Sequence, residues 1–527
     1  MEALDWLVIG VFFLALIGII VWVVRQKQND SADYFLGGRD ATWLAIGASI
    51  FASNIGSEHL IGLAGAGASS GMAMAHWEIQ GWMILILGWV FVPFYTRSMV
   101  YTMPEFLERR YNPQSRTILS VISLVSYVLT KVAVTVYAGG LVFQQVFGIK
   151  ELWGIDFFWI AAIGLVVLTA LYTIFGGMKS VLYTSVLQTP ILLLGSLIIL
   201  VLGFKELGGW DEMMRVCGAV TINDYGDTMT NLIRSNDDAN FPWLGALIGS
   251  AIIGFWYWCT DQFIVQRVLS GKNEMEARRG TIFGAYLKLL PVFLFLIPGM
   301  IAFALHQKYI GAGGEGFLPM LENGTANADA AFPTLVAKLL PAGVKGLVVC
   351  GILAALMSSL ASLFNSSAML FTIDFYKRFR PQTSEKKLVG IGQVATVVIV
   401  ILGILWIPIM RSVGDVLYTY LQDVQSVLAP GIAAAFLLGI CWKRTSAQGG
   451  MWGLISGMVI GLTRLGAKVY YSNAGEVADS TFKYLFYDMN WLFFCGWMFL
   501  FCIIVVIVVS LATEAPTAEK IQGLVFG

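Results

Sequence analysis

Long apolar runs, separated by short polar stretches, recur from one end of the chain to the other. Crossing the hydrocarbon of a bilayer takes about 20 apolar residues in a helix. Thirteen runs reach or approach that length: 5–25, 43–70, 72–97, 117–147, 155–175, 180–204, 241–270, 278–306, 343–376, 388–410, 414–440, 449–470 and 489–512. The pattern predicts an all-α membrane protein. The first run is long enough to span and is followed by Arg25 and Lys27, so it reads as a retained helix and not a cleaved leader.

Two runs depart from the rest. In 43–70 the stretch Ser53-Asn54-Ile55-Gly56-Ser57-Glu58-His59 puts polar residues at mid-depth, and in 241–270 the stretch Trp256-Tyr257-Trp258-Cys259-Thr260-Asp261-Gln262 does the same. Interrupted helices at matching places in two halves point to the binding site of a transporter. Each opens a set of five spans. An odd number forces the second copy to sit inverted in the membrane. The expected organisation is an extra helix and loop over 1–42, a first repeat over 43–204, an outer loop over 205–240, a second repeat over 241–440 and added C-terminal helices over 441–527.

Composition supports the membrane reading. Hydrophobic residues make up 57% of the 527, charged residues 13%, and mean hydropathy is +0.76. That charged share is about half of what soluble domains carry. Net charge is zero, with no basic patch for nucleic acid. The six cysteines lack disulfide or zinc spacing. Neither a phosphate loop nor a nucleophile–base motif is present, which argues against an enzyme. Lys and Arg concentrate in alternate loops (Arg97, Arg109, Arg110, Arg116, Lys377, Arg378 and Arg380 among them). Positive charge marks the inner face, so the N-terminus is expected outside and the C-terminus inside, in a cell membrane.

Polar side chains at membrane depth are costly and mark function by default. Asn54 and His59 flank the first interruption, Glu78 lies in 72–97, Lys288 in 278–306 and Gln422 in 414–440. Together they offer donors and acceptors, as a neutral polyhydroxyl ligand requires. Glu78 and Lys288 also suit a structural ion pair, and Gln422 a bridge between helices. Lys131, alone in its run, reads as a side chain reaching for the membrane edge. Trp256, Tyr257 and Trp258 present flat faces that stack on a sugar ring. Ala355, Ser358 and Ser359 share one helix face. Their oxygens, with the backbone carbonyls of Ala52 and Ile55 at the first interruption, suit a small hard cation. Small residues there equally suit close helix packing.

Several segments resemble the sodium/solute symporter family, and within it the sodium/glucose cotransporters: AIGASIFASNIGSEHLIGLAGAGASSG (45–71), YTMPEFLERRYN (101–112), WYWCTDQFIVQRVLS (256–270), GAYLKLLPVF (284–293), ALMSSLASLFNSSAMLFTIDFY (355–376) and PGIAAAFLLGICWKR (430–444). The resemblance implies a LeuT-type fold with two inverted five-helix repeats. It implies a sugar site at Asn54, His59, Glu78, Trp258, Lys288 and Gln422, with Tyr257 as the stacking inner gate and Tyr418 at the outer gate. It implies a sodium site at Ala52, Ile55, Ala355, Ser358 and Ser359. The chain departs from the family at Gly254, where relatives carry Asn or Thr, at Ser185, where an Asp stands, and at Ala361, where two-sodium members carry Thr. The last departure implies one sodium per sugar. The expected function is sodium-coupled symport of a neutral monosaccharide, glucose or galactose, by alternating access. The alternatives are myo-inositol or another neutral solute, or a sugar sensor or ion-conducting protein without net transport.

Overall fold

The structure is a computed structural model. It describes the backbone of all residues except 27–29, 57, 322–323, 413–416, 474–477 and 527; side chains at 129, 409–412, 417–423 and 473 are also outside the described set. Helices dominate. The described strands are a surface hairpin, Glu151–Leu152 against Ile155–Asp156. Among the described residues, ten helical segments are long and apolar enough to cross a membrane.

One of these, Phe157–Leu207, is 51 residues long. At 1.5 Å per residue it far exceeds the thickness of a bilayer. The chain turns sharply at Gly177 (φ 52°, ψ −147°) and so supplies two of the expected spans. A side chain at 177 would overlap the carbonyl of Tyr34, so glycine is required by space as well as by conformation.

Burial sorts the helices into a centre and a rim. In Val344–Phe379 the spanning window is 89% buried, against 22% in Ala3–Val24. The rim helix buries Ile9, Phe12 and Leu16 on one face and leaves Leu7, Val11 and Leu14 outward, the pattern expected where the outer solvent is lipid. It is pinned to the centre by Asp5, whose Oδ1 accepts from the backbone N–H of Gly343 (2.7 Å) and Gly346 (2.8 Å). A carboxylate at a helix start satisfies otherwise orphaned donors.

Trp43–Asn54 ends at Ile55, which is extended (φ −77°, ψ 98°), and the chain resumes in a wide π-helical stretch, Glu58–Leu63, leading into Ala64–Ser70. Gly56 marks the break: a Cβ there would sit 2.7 Å from Ser359 Oγ. Trp243–Gly254 continues as the π-helical stretch Phe255–Thr260, and the break itself falls at Asp261 (φ −77°, ψ 128°), before Gln262–Leu269. The aromatic cluster thus sits on the turn preceding the second interruption. Glycines at 47, 280 and 284 let Trp43–Asn54 pack backbone to backbone against Glu274–Leu287.

The two termini lie at opposite ends of the bundle. Asp5 meets Gly343, and Trp6 stacks on Phe147, at one end of helix Ala133–Phe147. Lys520 donates to the Tyr111 carbonyl at the other, beside the contact of Arg116 with Asp374 (2.6 Å). On the Asp5 side, the turn Ala328–Ala330 covers the first broken helix. Burial against Gly65 holds the Asp329 carboxyl at about 6, above the ordinary carboxylate range. Cys217 is buried with its thiol near the Met300 carbonyl.

Candidate functional site

Three of the polar residues singled out from sequence meet in the interior. Lys288 Nζ lies 2.7 Å from Glu78 Oε2 and 2.6 Å from His59 Nε2, and His59 Nε2 lies 3.2 Å from Glu78 Oε1. All three are buried. His59 Nε2 faces both the Lys288 ammonium, from which it accepts when its proton is on Nδ1, and the Glu78 carboxylate, to which it donates when its proton is on Nε2. That Nδ1 has no partner among the described residues. Asn54 donates from Nδ2 to the Tyr257 hydroxyl (3.0 Å), and its Oδ1 is likewise unpartnered among the described residues. Trp258 stands beneath the lysine, with Nζ 5.6 Å from its ring centre. Its ring meets Tyr257 edge-on at 4.9 Å.

These residues line a cavity of about 20 Å³ together with Glu58, Trp77, Gln80, Ile253 and Gln425. One water needs about 10–15 Å³, so this conformation is closed around the site. Gln422 and Tyr418 lie outside the described residues. Their helix, Leu417–Cys441, enters the site through the described Gln425.

A second cavity of about 20 Å³ shares Asn54, Glu58 and Tyr257 with the first and adds Ser53, Lys131 and Ser359. Tyr257 is thus a partition between the two. Beyond it the first break meets Val344–Met369 through hydroxyls. Ser359 donates to the Ser53 carbonyl (2.7 Å), and Ser53 Oγ lies 3.2 Å from Ser358 Oγ and 2.7 Å from Ser362 Oγ. Ser185 Oγ is 3.3 Å from Ser358 Oγ, and Arg267 donates from Nε to Ser49. Ala52, Ile55 and Ala355 are buried in the same contact. The donor set is hard oxygen throughout, with no His, Cys, Asp or Glu cluster among the described residues that would hold a transition metal. Such a set fits a small monovalent cation.

Sequence reasoning missed several of these residues. Lys131 does not reach for the membrane edge. It is buried 2.7 Å from Asp261 Oδ2, boxed by the rings of Tyr127, Trp256, Tyr257 and Phe263 at 4.6–5.4 Å. The Tyr127 hydroxyl also donates to Asp261. The two residues are far apart in sequence, and only the aromatic neighbours of Asp261 hinted at a buried cation. Ser53, Ser362 and Gln80 gave no signal beyond their polarity.

Residues 34–457 match the model of the sodium:solute symporter family. The chain belongs to that family. The symporter is 37% identical to the human sodium/myo-inositol cotransporter 2, over 99% of this chain and 79% of that protein. It is 36% identical to the zebrafish sodium/glucose cotransporter 4, over 99% and 80%. Among solved structures, a Na+-coupled sialic acid symporter in a substrate-bound outward-open state superposes with a TM-score of 0.78 at 21% identity, covering 98% of this chain and 99% of that one. MhsT in complex with L-phenylalanine gives 0.53 at 12%, covering 92% and 100%. The fold is therefore the LeuT type, and the symporter is a multi-pass, sodium-coupled solute transporter and not an enzyme.

Proposed function

We propose that this symporter moves a neutral monosaccharide, glucose or galactose, into the cell with one sodium ion per solute. The observation that carries the reading is the triad of Lys288, Glu78 and His59. The lysine is neutralised within it, which leaves no net positive charge to hold a carboxylate. Asn54 Oδ1 and His59 Nδ1, unpartnered among the described residues, remain as an acceptor and a ring nitrogen free to meet a hydroxyl. Asn54, His59, Glu78, Trp258, Lys288 and Gln422 contact the solute, and Tyr257 stacks on it as the inner gate, with Tyr418 at the outer gate. Sodium sits among Ala52, Ile55, Ala355, Ser358 and Ser359, where it ties the first break to the central helix and orders Asn54 and His59. Each ligand then favours the state that the other needs, and the coupling is reciprocal. The repeats run over 43–204 and 241–440, with the N-terminus outside and the C-terminus inside. The clustering of Arg116, Lys520 and their neighbours at one end of the bundle supports that orientation.

A second reading, myo-inositol as the solute, is favoured by the 37% identity to the human sodium/myo-inositol cotransporter 2. A cyclic polyol offers the same hydroxyls without the ring oxygen. Uptake of labelled glucose, galactose and myo-inositol into proteoliposomes, with sodium or potassium outside, decides between the two. Sodium-stimulated accumulation, increased by an inside-negative potential worth about 2.3 kcal/mol per charge per 100 mV, is expected for one of them. Binding without accumulation, or no sodium stimulation for any uncharged polyol, overturns the proposal.

A further inference from the structure

Gln80 lies two residues beyond Glu78 and lines the same cavity. Its side chain is buried, and its Oε1 has no hydrogen-bond partner among the described residues. A buried amide oxygen left unpaired is unfavourable, so the site is built to have it met by something else. Opposite stands Gly254. A Cβ there would lie 2.7 Å from Gln80 Oε1, and 3.3 Å from both Gln80 Cβ and Met83 Cγ. Gln80 therefore occupies the volume that a side chain at 254 would fill. The neighbouring Gly81 does the same for the lysine: a Cβ there would lie 2.7 Å from Lys288 Cγ.

We propose that Gln80 is a specificity-determining contact, whose amide oxygen accepts a hydrogen bond from one hydroxyl of the bound solute. Gly254 is the positioning residue that makes room for it. The proposal rests on the reading of the solute as a neutral polyhydroxyl ring. The contact discriminates against a ring that lacks that hydroxyl or carries it as a methyl ether, because the oxygen then stays desolvated and unpaired. The neutral amide adds no charge preference, which leaves sodium as the charged partner in the cycle.

The test uses the full chain in proteoliposomes, with glucose, galactose, myo-inositol and the monodeoxy forms of whichever is best transported. Gln80→Met keeps the length and removes the acceptor. It should raise KM for the best solute about tenfold, and leave half-saturating sodium within about twofold. One deoxy form, rejected by the wild type, should be transported by the variant as well as the parent solute. Gly254→Ala should raise KM in the same direction, yet change it by less than about twofold when added to Gln80→Ala, where nothing remains to be displaced. Wild-type KM and intact deoxy discrimination in Gln80→Met overturn the proposal. If that variant does not fold, an unchanged KM in Gly254→Ala overturns it. Absence of sodium-driven uptake of every uncharged ring by the unmutated protein would instead remove the functional reading, and this contact with it.

Discussion

Two lysines are buried on either side of Tyr257, and each stands 2.7 Å from a carboxylate oxygen. Lys131 and Asp261 are packed among four aromatic rings, with the lysine at the edge of the second cavity, and a tyrosine hydroxyl and a backbone N–H complete the carboxylate. Lys288 and Glu78 share their space with an imidazole, a cavity and unpartnered polar atoms. An ion pair whose carboxylate is fully met and whose ammonium is boxed by rings holds a structure together. One surrounded by unused donors and acceptors is prepared for a visitor. Burial and distance are nearly the same in the two pairs, so the difference lies in what surrounds them.

Removing one partner from each pair tests the contrast. Asp261→Ala strands Lys131 among hydrocarbon and should cost about 3–5 kcal/mol, read as a large fall in thermal unfolding temperature in detergent. Lys131→Leu added to it should recover most of the loss. A wild-type melting temperature in Asp261→Ala would show that the aromatic box does not depend on the charge. Glu78→Gln should do the reverse: it should fold, with a smaller thermal loss, and lower solute uptake about 100-fold, because the triad is a binding device whose polarity was aimed at a ligand. Equal thermal losses in both variants would erase the distinction.

Across the partition, Ser359→Ala removes a hydroxyl from the proposed cation cluster. Half-saturating sodium should rise about tenfold for one lost oxygen ligand, while the order of preferred solutes stays fixed. Unaltered sodium dependence would take Ser359 out of the cluster. The smallest effect belongs to a carboxyl outside the membrane. Asp329 is held at about 6 by burial, so its folded form takes a proton more readily than the unfolded chain does. The stabilisation is present at low pH and is lost as pH rises through about 6. Wild type should therefore melt higher at pH 5 than at pH 7, by no more than about 2 kcal/mol of stability, and Asp329→Asn should flatten that difference.

The Lys288 pair was legible in the sequence and the Lys131 pair was not, for a physical reason. Glu78, His59 and Lys288 interrupt apolar runs, where a charge has no cheap explanation, so each announced itself. Lys131 did so too, but its partner sat beside aromatic residues already explained as a stacking surface. Pairing between residues 131 and 261 leaves no local periodicity to detect. Gln80 was silent because an amide is tolerated in a helix without comment. Its meaning came from the missing side chain at 254, a relation between two helices. The helix breaks were visible through Gly56 and the polar stretch around it. The second falls within the polar stretch read from the sequence, at Asp261 near its far end and not at the aromatic cluster.

The closed cavity has a consequence for anyone measuring affinity. A six-membered sugar or polyol ring cannot enter a space of about 20 Å³, so every encounter begins in a wider conformer. The observed dissociation constant is then the intrinsic one divided by the fraction of time spent wide. A substitution that merely loosens the packing of Trp77 or Ile253 over the site would tighten apparent binding without adding a single contact. A small rigid inhibitor that holds the helices apart would compete with the solute while resembling it in no way.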